Sequence, residues 1–138
     1  MQGASGTGDD QIAPDVVELT LPAESAYLSV LRTATAGLAA RLDFTLDEIE
    51  DLRIAVDEAC AMLLPEATPG EPLVCRFVLE WDCLEVSVLA RSRSGRPPAR
   101  DSFAWTVLTA LAGEVDSSAD EESITVTLRK RRGWSESS

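Results

Sequence analysis

The longest periodic segment of the chain runs from 45 to 64, where apolar residues recur every three or four positions. This spacing predicts a helix that has one face on a core. The apolar row comprises Ile49, Leu52, Val56, Ala59 and Leu63. Thr45 and Glu48 have the spacing of a reciprocal capping box, which predicts where the helix begins. Pro65 predicts where it ends, because proline disfavours the helical conformation of the preceding residue.

Shorter periodic segments on either side predict two more helices and five strands. The predicted helices are 23–42 and 102–112, and the predicted strands are 17–21, 73–81, 84–90, 114–118 and 123–129. The predicted apolar face of the first helix comprises Tyr27, Val30, Leu31, Ala34, Leu38 and Leu42, and that of the last comprises Phe103, Val107, Leu108 and Leu111. The short connection at Asp82 and Cys83 predicts an antiparallel hairpin. Because strands and helices do not alternate regularly, the order favours a two-layer α+β sandwich, a mostly antiparallel sheet with helices on one face.

The length of 138 residues fits one domain with a core of its own. We expect this domain to span 15–132. The stretch 1–14 is rich in Gly, Ser and Asp and lacks periodicity, which predicts a disordered leader. The polar stretch 133–138 is expected to be a flexible tail.

The balance of charge limits the classes of partner. A net charge of −12 and a pI near 4.3 are unfavourable for a phosphate backbone, so no direct nucleic acid partner is expected. The same charge favours a basic protein partner, and the alternative is that it serves only solubility. No apolar run approaches the roughly 20 residues that span a bilayer, so no membrane association is expected.

The chain has three cysteines and no histidine. Cys60, Cys75 and Cys83 lack the C-x-x-C spacing of metal sites and lie inside periodic segments. They are predicted to be reduced thiols in or near the core, which favours a cytoplasmic location. The lack of histidine excludes Ser-His-Asp and Cys-His sites as well as histidine-ligated metals. Any catalysis would therefore rest on carboxylates.

One carboxylate on the central predicted helix is a candidate for catalysis. Glu58 lies with Asp51, Ala55 and Met62 on a flank beside the apolar row. A carboxylate at the border of a core can have its pKa raised by desolvation and act as a general base. The alternative is a surface glutamate on a helix of an acid-rich chain.

Four arginines fall within the segment 91–100, RSRSGRPPAR. Its proline, glycine and serine content is typical of a solvated flexible loop. Two other interpretations remain open, a contact for an acidic partner segment and a clamp for phosphate.

The order of four stretches, RIAVDEACAMLL, LEVSVLA, SFAWTVLTALAGEV and SITVTLRKR, resembles the bacterial anti-sigma factors of the RsbW and SpoIIAB type. The resemblance covers about 16 to 132 and extends especially to the divergent mycobacterial members called UsfX. It implies the histidine-kinase-like ATPase fold, also called GHKL or Bergerat, and a homodimer. It also implies a protein that holds a sigma factor away from RNA polymerase and phosphorylates a serine of a STAS-domain antagonist.

The second helix of that family carries an A-V-x-E-A-x-x-N pattern, which this chain matches in part. In the family the glutamate activates the attacking hydroxyl and the asparagine binds the magnesium of Mg-ATP. Glu58 stands at the glutamate position, so the resemblance makes it the catalytic residue if the chain is a kinase. Met62 stands at the asparagine position. A thioether cannot replace the oxygen ligand that magnesium requires.

The glycines that the family places around ATP also differ in this chain. The adenine-binding turn is expected at 90–94, where the sequence is ARSRS, and the second glycine box at 102–106, where it is SFAWT. Bulky Phe103 and Trp105 stand where the backbone would approach the phosphates. We therefore expect no cofactor, with ATP and magnesium as the cofactors if the nucleotide site is retained.

Arg32 on the first predicted helix aligns with a family arginine that contacts both the sigma factor and the antagonist. It lies off the apolar row, which leaves it free to reach a partner. Ser29 and Arg41 of the same helix complete the predicted partner contacts. The alternative for Arg32 is a solvated surface residue.

Three functional hypotheses follow. The leading one is a binding module rather than an enzyme, a dimeric anti-sigma factor that a STAS-domain antagonist releases by competition. The second is an active ATP-dependent serine/threonine kinase, in which the arginine segment holds the phosphates and another residue supplies the metal ligand. The third is a small-molecule sensor on a degenerate nucleotide-binding fold.

Overall fold

The computed structural model describes residues 13–133, which form a five-stranded antiparallel sheet and three α-helices. The strands are β1 (Asp15–Leu21), β2 (Leu73–Glu80), β3 (Cys83–Arg91), β4 (Glu114–Ala119) and β5 (Ser123–Arg131). The helices are α1 (Leu28–Arg41), α2 (Leu46–Leu63) and α3 (Phe103–Ala112). The strand order is β1-β2-β3-β5-β4, and every neighbouring pair is antiparallel. The predicted two-layer α+β architecture is confirmed.

The core lies between the sheet and the helices. Side chains along the three inner strands alternate between buried and part-exposed positions, as expected for a sheet with one covered face. The apolar residues of these strands that form the core are Leu73, Cys75, Phe77, Leu79, Leu84, Val86, Val88, Ala90, Ile124, Val126 and Leu128. These residues pack against the buried residues of α2 in one continuous cluster.

The central helix begins and ends where the sequence predicts. The backbone N–H of Thr45 donates to Oε1 of Glu48 at 2.7 Å, and the N–H of Glu48 donates to Oγ1 of Thr45 at 3.1 Å. Such a reciprocal cap contributes about 1 kcal/mol to helix stability. Four residues of the apolar row, Leu52, Val56, Ala59 and Leu63, are buried, and Ile49 is partly buried. Ala55 and Cys60 are buried as well, so the covered face is wider than the row.

The predicted hairpin between β2 and β3 is confirmed, with a turn one residue earlier. Glu80 pairs with Cys83, so the turn residues are Trp81 and Asp82. Trp81 is 76% exposed. The sequence does not mark this turn, because Trp81 follows Glu80 and continues the polar–apolar alternation of β2 by one more position.

The buried face of α1 differs from the predicted one. Tyr27 and Val30 are 42% and 44% exposed, whereas Thr35 is completely buried between Leu31 and Ala39 of the same face. Oγ1 of Thr35 donates to the carbonyl of Leu31 at 2.8 Å, which satisfies the hydroxyl inside the helix. The prediction that Tyr27 and Val30 face the core is wrong, because a threonine occupies the centre of the buried row.

The buried face of α3 also differs from the predicted one. Phe103 is 83% exposed, while Trp105 is 8% exposed and packs in the core with Leu108. The predicted cap is confirmed, since Oγ of Ser102 accepts the N–H of Trp105 at 3.1 Å. The placement of Phe103 on the core is wrong. Nearly every residue of FAWTVLTALA is apolar, so periodicity alone does not distinguish its faces.

The two edge strands, β1 and β4, are the least covered part of the sheet. In β1 the side chains of Val16 and Val17 are 46% and 39% exposed, and only Leu21 is buried. The alternation of Val17, Leu19 and Leu21 with polar residues predicts that one face of β1 lies on the core. This is wrong for Val17, because burial of β1 increases only toward its Leu21 end.

A buried lysine ties three elements together. Lys130 of β5, the single lysine of the sequence, is 5% exposed. Its Nζ donates to the carbonyl of Leu111 at 2.7 Å and lies 3.6 Å from Oδ2 of Asp51. The ammonium group thus satisfies a carbonyl in the last turn of α3 and pairs with a carboxylate of α2, which offsets part of the cost of its burial.

The three cysteines are buried and free, as predicted. Burial raises the pKa of Cys60 to about 12 and that of Cys75 to about 11. Burial also raises the pKa of Cys83. Because the thiolate is the reactive form, these thiols are unreactive at neutral pH.

The predicted leader and tail fall mostly outside the described residues. Of the stretch 1–14 only Ala13 and Pro14 are described, and of 133–138 only Gly133. Between residues 13 and 133, no helix combines the length and the apolar character that crossing a membrane requires.

Candidate functional site

A cleft of about 470 Å³ opens between the end of α2, the segment 92–102 and the start of α3. Its walls include Met62, Glu66, Pro97, Pro98, Ser102 and Ile124. Met62 therefore lines a cavity, as the position of a nucleotide-site residue implies. Glu58, one turn earlier on α2, is half-buried and lies outside this lining.

The residues of this cleft do not fit Mg-ATP. Magnesium takes oxygen ligands, and the position expected to supply an amide oxygen carries the thioether of Met62. Of the described residues that line the cleft, Glu66 alone carries a carboxylate, and it would repel a triphosphate. In the described part of the chain, no group of three or more His, Cys, Asp or Glu residues is placed to hold a metal ion.

The arginine segment is fastened at one end to the turn between β4 and β5 and at the other end to β4. Nη1 of Arg91 lies 3.7 Å from Oε1 of Glu122, and Nη2 of Arg100 donates to Oδ1 of Asp116 at 2.7 Å. The Arg100 hydrogen bond lowers the pKa of Asp116, with a further contribution from the backbone N–H of Ser117. The guanidinium of Arg100 also stacks 4.9 Å from the ring centroid of Trp105.

Gly95 fixes the middle of the same segment. Its φ is +63°, a conformation that favours glycine, and a Cβ there would lie 3.3 Å from the carbonyl oxygen of Asp120. The N–H of Ser92 donates to the carbonyl of Glu122 at 2.8 Å. Ser92 is buried and Gly95 and Pro98 are partly buried, but the other positions of the segment, including Arg93 and Arg96, are exposed, as expected of a solvated loop.

Arg32 bridges the two helices of the α1–α2 hairpin. Its Nε lies 3.1 Å from Oδ1 of Asp57, and the two side chains are 37% and 42% exposed. The Nε atom is itself buried and has no aligned hydrogen-bond acceptor among the described residues. We therefore regard the contact as an ion pair with poor hydrogen-bond geometry. Asp57 precedes Glu58 on α2, so the pair lies close to the catalytic candidate.

The structure separates the three predicted partner contacts. Ser29 is exposed and precedes Arg32 by three residues, so the two lie on neighbouring positions of one helix face. Arg41 is exposed nine residues after Arg32, on the opposite side of α1 and roughly 14 Å along its axis. Arg41 instead borders a separate cleft with Pro14 and Trp81.

Tyr27 and Val30 are surface residues, although the apolar spacing of the first helix predicts them in the core. They flank Ser29 and contribute apolar exposed area at the start of α1. The helix Leu28–Arg41 contains no acidic residue, in a chain with 24 Asp and Glu. Val30 and Arg32 are two residues apart and so project from nearly opposite sides of the helix. Exposed apolar side chains and a half-exposed arginine on a helix without acidic residues are typical of a protein contact surface. The apolar pattern does not reveal this exposure, because the buried row of α1 consists of Leu31, Thr35 and Ala39. A polar residue stands at its centre, so the buried face is turned away from Tyr27 and Val30.

Curated proteins with similar sequences carry one family name. The chain is 37% identical over 106 residues to the anti-sigma-F factor RsbW of Mycobacterium tuberculosis. These 106 aligned residues cover 75% of this chain and 62% of the relative. It is 38% identical over 82 residues to the serine-protein kinase RsbW of Halalkalibacterium halodurans, covering 59% of this chain and 51% of the relative. The serine-protein kinase RsbW of Bacillus subtilis is 41% identical over 78 residues, covering 54% and 48% respectively.

The chain spans about half to three-fifths of the length of these curated relatives. No family model matches it. Among solved structures, the RsbU and RsbW domains of Rv1364c from Mycobacterium tuberculosis superpose with a TM-score of 0.68 at 18% identity. The match covers 86% of this chain and 32% of the other. The likeness shows that the chain has the fold of an RsbW domain, which is of the expected GHKL type.

Proposed function

Because the chain belongs to the RsbW family of bacterial regulators, we propose that it is an anti-sigma factor. It binds a sigma factor and withholds it from RNA polymerase. The observation that carries this proposal is the 106-residue similarity to the Mycobacterium tuberculosis anti-sigma-F factor RsbW, which extends over three-quarters of the chain. The solved RsbW-domain neighbour has the same fold.

The proposed contact surface is the start of α1, which presents Ser29 and Arg32 on one side and the exposed Tyr27 and Val30 on the other. Apolar residues supply area that a partner can cover, and the guanidinium supplies a directional charge. The net charge of the whole chain, −12, attracts a basic sigma-factor surface over a longer range and raises the association rate. Arg41 is not part of this surface, because it lies at the far end of the helix.

The test is a calorimetric titration of the sigma factors of the source organism into the purified chain. Arg32→Glu is expected to weaken binding of the cognate sigma factor by at least about a hundredfold, since it reverses a charge at the centre of the contact. The matched control is Arg53→Glu. Arg53 is also an exposed arginine paired with a neighbouring carboxylate, Glu50, at 3.0 Å, and its reversal is expected to leave binding unchanged. Equal losses in both variants would reject the contact surface.

We further propose that a STAS-domain antagonist releases the sigma factor by competition, without phosphorylation. The thioether of Met62 and the lack of glycine at 102–106 support this part of the proposal. A calorimetric titration with Mg-ATP is expected to give no saturable heat up to about 1 mM, a weak-binding limit. Glu58→Ala is expected to behave identically. Saturable heat in the native chain that is lost in Glu58→Ala would overturn the competition mechanism.

The second candidate is an ATP-dependent serine kinase acting on the antagonist. Two observations favour it, namely that relatives with 38% and 41% identity are named serine-protein kinases and that Glu58 is present. Transfer of the γ-phosphate of labelled ATP to a STAS-domain protein, and its loss in Glu58→Gln, would establish this activity. A complete lack of transfer by the native chain would exclude it for that substrate.

The proposed assembly is a cytoplasmic homodimer that includes the β1 edge. The outer edge of β1 has no partner strand within residues 13–133, and Val16 and Val17 are exposed there. Val17→Lys is expected to shift the sedimenting species toward the monomer, because it places a charge in an apolar contact. A native chain that sediments as a monomer at all concentrations would reject the dimer.

A further inference from the structure

The four arginines of the segment 91–100 divide into two pairs with different surroundings. Arg91 and Arg100 are engaged by the carboxylates of Glu122 and Asp116. Arg93 and Arg96 are exposed, and within the described part of the chain neither forms an ion pair. The anchored pair therefore holds two free guanidinium groups on one loop of an otherwise acidic protein.

One of the free arginines, Arg96, borders an apolar cavity, and Arg93 lies three residues before it on the same loop. Arg96 lines the cleft of about 470 Å³ whose apolar walls include Met62, Pro97 and Ile124. Phe103 is 83% exposed and stands between two residues that line the cleft, Ser102 and Ala104. An exposed aromatic residue, an apolar cavity and uncompensated positive charge thus adjoin one another, a combination found in peptide-binding surfaces.

We propose that this cleft is a docking site for an acidic peptide segment of a protein partner. One aliphatic side chain of the peptide inserts between Met62, Pro97 and Pro98. Its carboxylates pair with Arg93 and Arg96, where each guanidinium can hold a carboxylate with two parallel hydrogen bonds. Phe103 covers the inserted side chain from the α3 side.

The chemistry of the cleft favours a peptide over a nucleotide. Glu66 lines the same cleft as Arg96, so a ligand with dense negative charge, such as a triphosphate, would meet repulsion as well as attraction. A peptide can present carboxylates to the loop and an uncharged face to Glu66. None of the residues that line the cleft belongs to α1, so this proposal does not depend on the sigma-factor role.

Fluorescence anisotropy with synthetic peptides tests the proposal. The probe is a labelled glutamate-rich peptide with one central leucine, and the two comparison peptides replace the leucine by glycine or the glutamates by lysine. The leucine peptide is expected to bind saturably, and the comparison peptides at least about tenfold more weakly. The affinity should fall when the salt concentration rises from about 0.05 to 0.3 M, because the paired charges are exposed.

Two protein variants complete the experiment. The double substitution Arg93→Glu and Arg96→Glu is expected to weaken binding at least about tenfold while the circular dichroism spectrum stays native, since both side chains are exposed. Arg53→Glu changes the net charge on α2 and is expected to reduce binding less than about twofold.

Four results would overturn the proposal. The first two are a lack of saturable peptide binding and an equal loss in the Arg53→Glu control. The third is equal affinity for the glycine peptide, which would show that the cavity takes no side chain. The fourth is displacement of the peptide by saturably bound Mg-ATP, which would assign the cleft to a nucleotide.

Discussion

Arg32 of α1 and Asp57 of α2 form an ion pair in which Nε lies 3.1 Å from Oδ1, although the buried Nε–H has no aligned acceptor. The pair links the helix proposed to bind the sigma factor to the helix that carries Glu58. Because the hydrogen-bond geometry is poor, the guanidinium loses little when it turns toward an acceptor on a partner.

The first prediction concerns Asp57→Asn. Loss of the aspartate charge is expected to free Arg32 and strengthen sigma-factor binding by about threefold, because no ion pair has to be broken. The free energy of unfolding should change by less than about 1 kcal/mol, since both side chains are more than a third exposed. Calorimetry and urea unfolding measure the two effects. A tenfold loss of affinity would show instead that the pair must stay intact in the complex.

The second prediction concerns the single lysine. Lys130→Met keeps the aliphatic stem but leaves the Leu111 carbonyl and Asp51 without their partner. The free energy of unfolding is expected to fall by about 1–3 kcal/mol, the cost of an unsatisfied buried polar group. Urea unfolding measures this change. An unchanged midpoint would mean that water replaces the ammonium group.

Amine labelling of the native chain gives an independent check on Lys130. Because the lysine is 5% exposed, an amine-reactive ester at neutral pH should modify only the α-amino group of the folded protein. In concentrated urea a second adduct is expected, which mass spectrometry detects. Rapid double labelling without urea would contradict the burial of Lys130.

The third prediction is a loss of stability at alkaline pH that originates in the cysteines. Burial raises the pKa of Cys60 to about 12 and that of Cys75 to about 11, from an ordinary thiol value of 9.0. Above about pH 9 the unfolded chain releases these thiol protons while the folded chain retains them. The associated stability is therefore fully present below about pH 9 and is lost as the pH rises through 11 to 12.

Urea unfolding between pH 8 and pH 11 measures this loss. Cys60→Ala is the comparison, since it removes one of the shifted thiols and should flatten the pH dependence. A native chain whose stability is constant over this range would show that the thiols are hydrated. A thiol reagent at pH 8 should label all three cysteines only after unfolding.

The fourth prediction concerns the cleft beside α2. Met62→Asn restores an amide at the position that binds magnesium in the family. It is still expected to give no saturable Mg-ATP binding, because 90–94 offers no carboxylate for the adenine and 102–106 offers no glycine. Calorimetry measures this directly. Gain of micromolar ATP binding by this one change would show that Met62 alone disables the site.

The sequence predicts the elements of this fold well, because periodicity and caps are local signals. The capping box at Thr45 and Glu48 marks the start of α2. The alternation of buried and part-exposed residues along β3 and β5 indicates the inner strands of the sheet. The helix faces are less predictable where the apolar pattern is ambiguous. In α1 the polar Thr35 occupies the core because its hydroxyl bonds within the helix, and in α3 apolar residues surround the whole helix.

The candidate site was predictable only where a family motif supplied the expectation. The resemblance points to Glu58, Met62 and Arg32, but it does not predict which residues surround them, because those contacts form only when the helices pack. The pairing of Arg32 with Asp57 across two helices depends on how α1 packs on α2, which spacing does not specify. The anchoring of Arg100 by Asp116 joins residues that are distant in sequence, so the loop composition alone suggested a solvated segment.

The most direct test of the account is the affinity of the chain for its cognate sigma factor, measured with and without Mg-ATP. We expect binding with a dissociation constant below about 1 µM. That constant should be the same in excess EDTA and in saturating Mg-ATP, and Arg32→Glu should weaken it. Failure to bind any sigma factor of the source organism, or binding that requires Mg-ATP, would contradict the central claim of a nucleotide-independent anti-sigma factor.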